Sequence, residues 1–182
     1  MSLKKTNLIK LVLAAFFLAL ALVLPFLTGQ IQQIGNMLCP MHLPVLLCGF
    51  FCGPVYGLAV GLISPVLRFF IFGMPPIMPI GLAMTFELAT YGLLAGIFYK
   101  IFPKKIGYTY LSLILAMIGG RIVWGVAEVI LNGLGQVEFS WNAFVAGAFL
   151  KAIPGIIIQL ILIPILVQRL GKLMFETRLS EE

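Results

Sequence analysis

Aspartate is missing altogether from this 182-residue chain, and histidine occurs once, at His42. Those two shortages exclude most metal centres, carboxylate pairs and Ser-His-Asp triads in one step. Charge is scarce as well: 10% of the residues are Asp, Glu, Lys or Arg and 62% are hydrophobic, against roughly 25% and 45–50% in soluble domains. Water is therefore not the main solvent of this chain. Cys39, Cys48 and Cys52 are the only cysteines, too few and too apolar in setting for a disulfide framework or a zinc site. Cys48 and Cys52 read as small buried residues. A nucleotide-binding loop of the Gly-x-x-x-x-Gly-Lys-Ser/Thr type is also missing, so ATP hydrolysis by that route is excluded and any active transport needs partners.

What the chain does have is long apolar runs, broken by Gly, Pro or charge. They predict helices at about 8–27, 42–53, 55–72, 80–100, 108–133 and 143–170. At ~20 apolar residues per crossing, the length holds roughly six crossings and no soluble domain. The expected fold is all-α: residues 1–182 form one integral membrane bundle of six transmembrane helices. Residues 42–72 are too many for one crossing and few for two, and Gly53-Pro54 sits where a tight reversal belongs, so two short helices are expected.

The net charge of +6 does not point to nucleic acid, because the cations gather in three short patches beside apolar runs. Lys4, Lys5 and Lys10 precede the first helix, Lys100, Lys104 and Lys105 follow the fourth, and Arg169, Lys172 and Arg178 end or follow the sixth. Six crossings put all three patches, and both termini, in the cytoplasm; five crossings would split them across the membrane. The N-terminal lysines before an apolar stretch imitate a secretory signal, yet no small-residue cleavage site follows and Pro25 to Gln30 reads as a helix end. The outward segments, about 28–41, 73–79 and 134–142, hold one charge, Glu138.

Charges inside a bilayer are costly, so Arg68, Glu87, Arg121, Glu128 and Lys151 each need a partner, a cavity or a ligand. At ~1.5 Å per residue, Arg68 and Glu128 lie one turn from the outer helix ends, Glu87 deeper, and Arg121 and Lys151 near the middle. None falls in the cytoplasmic half, which suggests a polar hollow opening outward above an apolar floor. Arg121, Trp124, Gly125 and Glu128 share one face of the fifth helix at i, i+3, i+4 and i+7. Glu87, Thr90 and Tyr91 share a side of the fourth, and Asn142, Lys151 and Gln159 come from the sixth. Three cations against two anions leave one positive charge over, ready for an anionic ligand group. Mutual pairing of the same residues as interhelical glue is the bland alternative. His42, between Pro40 and Pro44, reads as a helix-start residue or a ligand contact. Ala15, Ala19 and Val23 form a stripe at i, i+4 and i+8 that lets another helix approach closely.

That stripe, the six short crossings and the small basic chain resemble the substrate-binding S components of energy-coupling factor transporters over the whole length. The segment Met41-His42-Leu43-Pro44-Val45-Leu46-Leu47-Cys48-Gly49-Phe50, with Gly53-Pro54 and Gly73-Met74-Pro75-Pro76, resembles the subset that includes pantothenate-type members. The resemblance implies a high-affinity binding subunit of an ATP-driven vitamin importer in the bacterial cytoplasmic membrane, not an enzyme. Its implied partners are a transmembrane coupling subunit, docked on Ala15, Ala19 and Val23, and two ATPase subunits. Its implied ligand site lies near the outer face between helices four to six, under the loops after helices one, three and five. Candidate site residues are then Arg121, Lys151, Glu87, Glu128, Trp124, Tyr91, Asn142, His42, Asn36 and Arg68. Arg121 or Lys151 would hold a carboxylate, and Trp124 or Tyr91 would pack on the apolar part. Folate, riboflavin, pyridoxine or hydroxymethylpyrimidine, and queuosine precursors remain alternative ligands. A stand-alone facilitator, a lipid-directed membrane enzyme and a purely structural subunit are the competing classes.

Overall fold

The computed structural model describes residues 3–28, 37–134 and 152–179. Among the described residues the long elements are six α-helices: α1 Leu3–Val23, α2 His42–Cys52, α3 Pro54–Phe72, α4 Leu82–Ile101, α5 Ile106–Leu134 and α6 Ile153–Leu179. No strand occurs among the described residues. Five of the helices are long and apolar enough to cross a bilayer, α1 together with the turn that extends it. The sixth, α2, has 11 residues and rises ~16 Å at 1.5 Å per residue, about half a hydrocarbon core.

The expected elements are present, with shifted ends. The first helix was expected to run to residue 27, but the α-helix stops at Val23 and a tighter 3-10 turn covers Leu24–Thr28. Pro25 explains the change, since it has no N–H to donate and its ring crowds the carbonyl one turn back. The expected start of the last helix at 143 lies outside the described residues; its end runs past 170 to Leu179, through Leu, Met, Lys and Glu, all good helix formers. In the proline-rich connector after Gly73, Met78 is extended (φ −116°, ψ 137°).

Glycine contacts fix the directions of the helices. Gly49 of α2 and Gly57 of α3 both lie against Gly92 of α4, while Gly53 and Pro54 lie against Gly96 and Gly61 lies against Leu88. Because α2 ascends α4 as α3 descends it, α2 and α3 form a hairpin that reverses at Gly53, whose φ of 96° favours glycine. The Tyr56 hydroxyl donates to the Asn7 carbonyl, and Arg68 donates to the Leu22 carbonyl, so α1 runs parallel to α3. Gly155 near the start of α6 meets Met37 and Leu38. The three basic patches consequently collect at one end of the bundle, and the N-terminal ends of α2, α4 and α6 gather at the other.

Val45, Leu46, Leu88, Ala95, Leu113, Ala116 and Ile163 are sealed in the core. The outside is as apolar as the inside: Val12, Phe70 and Ile122 are all more than half exposed, the pattern of a surface that faces lipid rather than water.

Candidate functional site

Three elements meet around one carboxylate. Glu87, in the second turn of α4, is 2% exposed. The Arg121 Nη1 of α5 stands 3.0 Å from its Oε1, and the His42 Nε2, at the first residue of α2, stands 3.5 Å from its Oε2. Tyr91, one turn along α4, presents its ring edge-to-face to His42 with centroids 5.4 Å apart. The Arg121 guanidinium lies 5.9 Å from the Trp124 ring centroid, a cation–π distance.

The sequence builds this meeting point through small residues. Gly49, Gly57 and Gly92 let α2, α3 and α4 touch backbone to backbone, which carries His42 up to Glu87. Gly120 leaves the space that the Tyr91 ring fills; a Cβ there would run into that ring. Residues 39–41, directly before α2, are not helical, yet Cys39 and Met41 are buried. Irregular backbone at membrane depth is tolerated where it is enclosed by protein or lines a cavity. Cys39 itself has a φ of 48°, its carbonyl accepts from the His42 N–H at 3.1 Å, and its sulfur accepts from Arg121 Nη2 at 3.9 Å.

The polar valences of the cluster are not closed. Both nitrogens of the His42 ring, Glu87 Oε1 and Arg121 Nε are buried without a hydrogen-bond partner among the described residues. Arg121 Nη1 approaches Oε1 closely but is aligned for charge attraction rather than for a hydrogen bond. A buried polar atom left unmet costs about 1–3 kcal/mol, so these atoms can still take a further donor and acceptor.

Of the residues singled out from sequence, Glu87, Arg121, Tyr91, Trp124 and His42 come together. Arg68 does not join them: it donates to the carbonyl of Leu22 and lies 5.2 Å from the ring centroids of both Phe26 and Phe72, closing the C-terminal end of α1 onto α3. Glu128 lies two turns further along α5 and accepts from Asn132 at 2.9 Å. Gln159 is buried on α6. Lys151, Asn142 and Asn36 lie outside the described residues. Ala15, Ala19 and Val23 are exposed on α1. The surplus cation expected from counting charges is absent from the described cluster, where Glu87 answers Arg121 and Arg68 is engaged elsewhere. Sequence reasoning missed Cys39; the signal it offered was a cysteine three residues before the only histidine, in a stretch with no helical period.

A buried ionic cluster at one end of an apolar helical bundle is what a solute-capturing membrane subunit needs. The family described as "ECF transporter, substrate-specific component" matches residues 9–167. The chain belongs to that family. No curated protein and no solved structure matches it. As an ECF substrate-specific component it is a transport protein and not an enzyme.

Proposed function

We propose that this ECF component captures a small anionic vitamin, pantothenate or a close analogue, at the Glu87–Arg121–His42 cluster. The observation that carries the reading is the set of buried polar atoms left unpartnered on these three residues. Pantothenate has a carboxylate, two hydroxyls and an amide, and so supplies both kinds of partner. Arg121 receives the carboxylate, Glu87 and His42 exchange hydrogen bonds with hydroxyl and amide, and the Trp124 and Tyr91 rings pack on the dimethyl carbons. Lys151, Asn142 and Asn36, which lie outside the described residues, are further candidate ligand contacts in this reading.

The bundle end that carries the three basic patches faces the cytoplasm in this reading, so the cluster opens outward in the bacterial plasma membrane. With no ATPase loop of its own, the chain works with a transmembrane coupling subunit and two ATPase subunits, and the exposed face of α1 at Ala15, Ala19 and Val23 is the docking surface.

The test is equilibrium binding of radiolabelled pantothenate to the purified protein, with riboflavin, folate, pyridoxine and hydroxymethylpyrimidine as competitors. Saturable pantothenate binding that weakens at least roughly tenfold, about 1.4 kcal/mol, in Arg121→Gln and in Glu87→Gln is expected. Displacement by one of the competitors instead would reassign the vitamin. Unchanged affinity for every ligand in both variants would remove the cluster from the site.

A further inference from the structure

The guanidinium of Arg121 is engaged unevenly. Nη1 faces Glu87, Nη2 donates to the Cys39 sulfur at 3.9 Å, and Nε is buried with no hydrogen-bond partner among the described residues. Nε and Nη2 together form the side edge of the guanidinium, which receives a carboxylate through two parallel hydrogen bonds. A thiol sulfur is a weak acceptor, so an oxygen anion arriving at this edge displaces little. A carboxylate at position 39 would instead have taken the edge permanently.

The chain holds the thiol there with an unusual backbone. A φ of 48° lies in the left-handed region, where residues other than glycine are uncommon. The neighbours supply independent support: His42 and Glu87 are each 2% exposed, and both imidazole nitrogens and Oε1 lack hydrogen-bond partners among the described residues.

We infer that the anionic group of the ligand docks side-on against Nε and Nη2 of Arg121, and that the Cys39 thiol is the displaceable acceptor that keeps this edge open while Glu87 holds the other. Cys39 is thus a specificity-determining residue, favouring a planar anion over a neutral analogue. The inference rests on the reading of the cluster as the substrate site.

The experiment uses the full-length protein carrying Cys48→Ala and Cys52→Ala, so that Cys39 is the sole thiol. Labelling rates are compared for an anionic reagent, 2-sulfonatoethyl methanethiosulfonate, and a cationic one, 2-(trimethylammonio)ethyl methanethiosulfonate. In both, the thiolate attacks the reagent sulfur, a mixed disulfide forms and methanesulfinate leaves. Relative to their rates with free cysteine, the anionic reagent should be favoured roughly tenfold by the adjacent cation, and Arg121→Gln should abolish the preference. A Cys39 that neither reagent labels, or that reacts without charge preference, or whose preference survives Arg121→Gln, overturns the inference.

A second arm measures binding. Cys39→Asp should weaken pantothenate at least roughly tenfold and leave pantothenol, which ends in an alcohol instead of a carboxylate, within about twofold. Equal losses for both ligands would mean that Cys39 is merely structural and would overturn the inference as well. If the unsubstituted protein binds neither probe, the vitamin assignment fails, and the labelling arm still decides whether the edge receives an anion.

Discussion

An ion pair inside an apolar bundle is a poor way to gain stability, because the cost of removing two charges from water rivals their attraction. Glu87 and Arg121 make such a pair, 3.0 Å apart with Glu87 sealed from solvent, and they leave polar atoms unmet besides. Function explains that expense better than structure does, and the two explanations can be separated. Glu87→Leu alone strands a buried cation and should cost about 3–5 kcal/mol, read as a lower melting temperature in detergent. Glu87→Leu with Arg121→Leu removes both charges and should recover most of that loss while ligand binding stays absent. If the double variant still binds ligand, the pair is interhelical glue. The Tyr91 ring gives a gentler probe, since a Cβ on Gly120 would meet it. Gly120→Ala should push the ring toward His42 and weaken binding by about 1–3 kcal/mol, the range typical of overpacking. Titration calorimetry reads that change, and an unaltered affinity would show that the position of Tyr91 is irrelevant to the ligand.

The same close packing governs the helices as units. Gly57 and Gly92 meet backbone to backbone, so Gly92→Val should separate α3 from α4, move His42 away from Glu87 and abolish both ligand binding and a cooperative melt. Gly107→Ala is the matched control: open space surrounds that position, so it should change neither, and a Gly92→Val protein that melts like the parent would refute the packing argument. The hairpin these glycines hold was legible in the sequence because Gly53-Pro54 interrupts a run of apolar residues. The faces of α4 and α5 were legible too, since helical spacing alone brings Glu87 near Tyr91 and Arg121 near Trp124. Periodicity says nothing about a segment without a period, and Cys39 enters the site from such a segment, carried by a left-handed backbone that its side chain does not announce. Nor could it show that Arg68 would turn away from the cluster. A buried arginine looks the same in sequence whether its partner is a ligand or, as here, a carbonyl at the end of α1 and two phenylalanine rings.

On the scale of the whole molecule, the proposed capture site lies at one end and the sequence has no Gly-x-x-x-x-Gly-Lys-Ser/Thr loop, so in the proposed reading binding energy is linked to partners through an outer face. Most of that face consists of large apolar side chains suited to lipid. On α1 the residues turned inward are Ala14, Phe17 and Ala21, and those turned outward include Ala15 and Ala19. Small outward residues gain nothing against lipid tails, but they let a second helix approach until the backbones touch, which is the main source of helix association in a bilayer. Ala15→Trp and Ala19→Trp should therefore abolish co-purification of the coupling subunit and leave ligand affinity within about twofold, because neither side chain touches the buried cluster. Ile161→Trp, at a position on α6 that is likewise exposed, should preserve both. Pull-down from membranes expressing the full transporter, followed by a binding isotherm on the same preparation, reads the two quantities together. Retention of the coupling subunit by both alanine variants would place the docking surface on another helix, and loss of ligand affinity along with it would mean that the face of α1 serves the bundle rather than a partner.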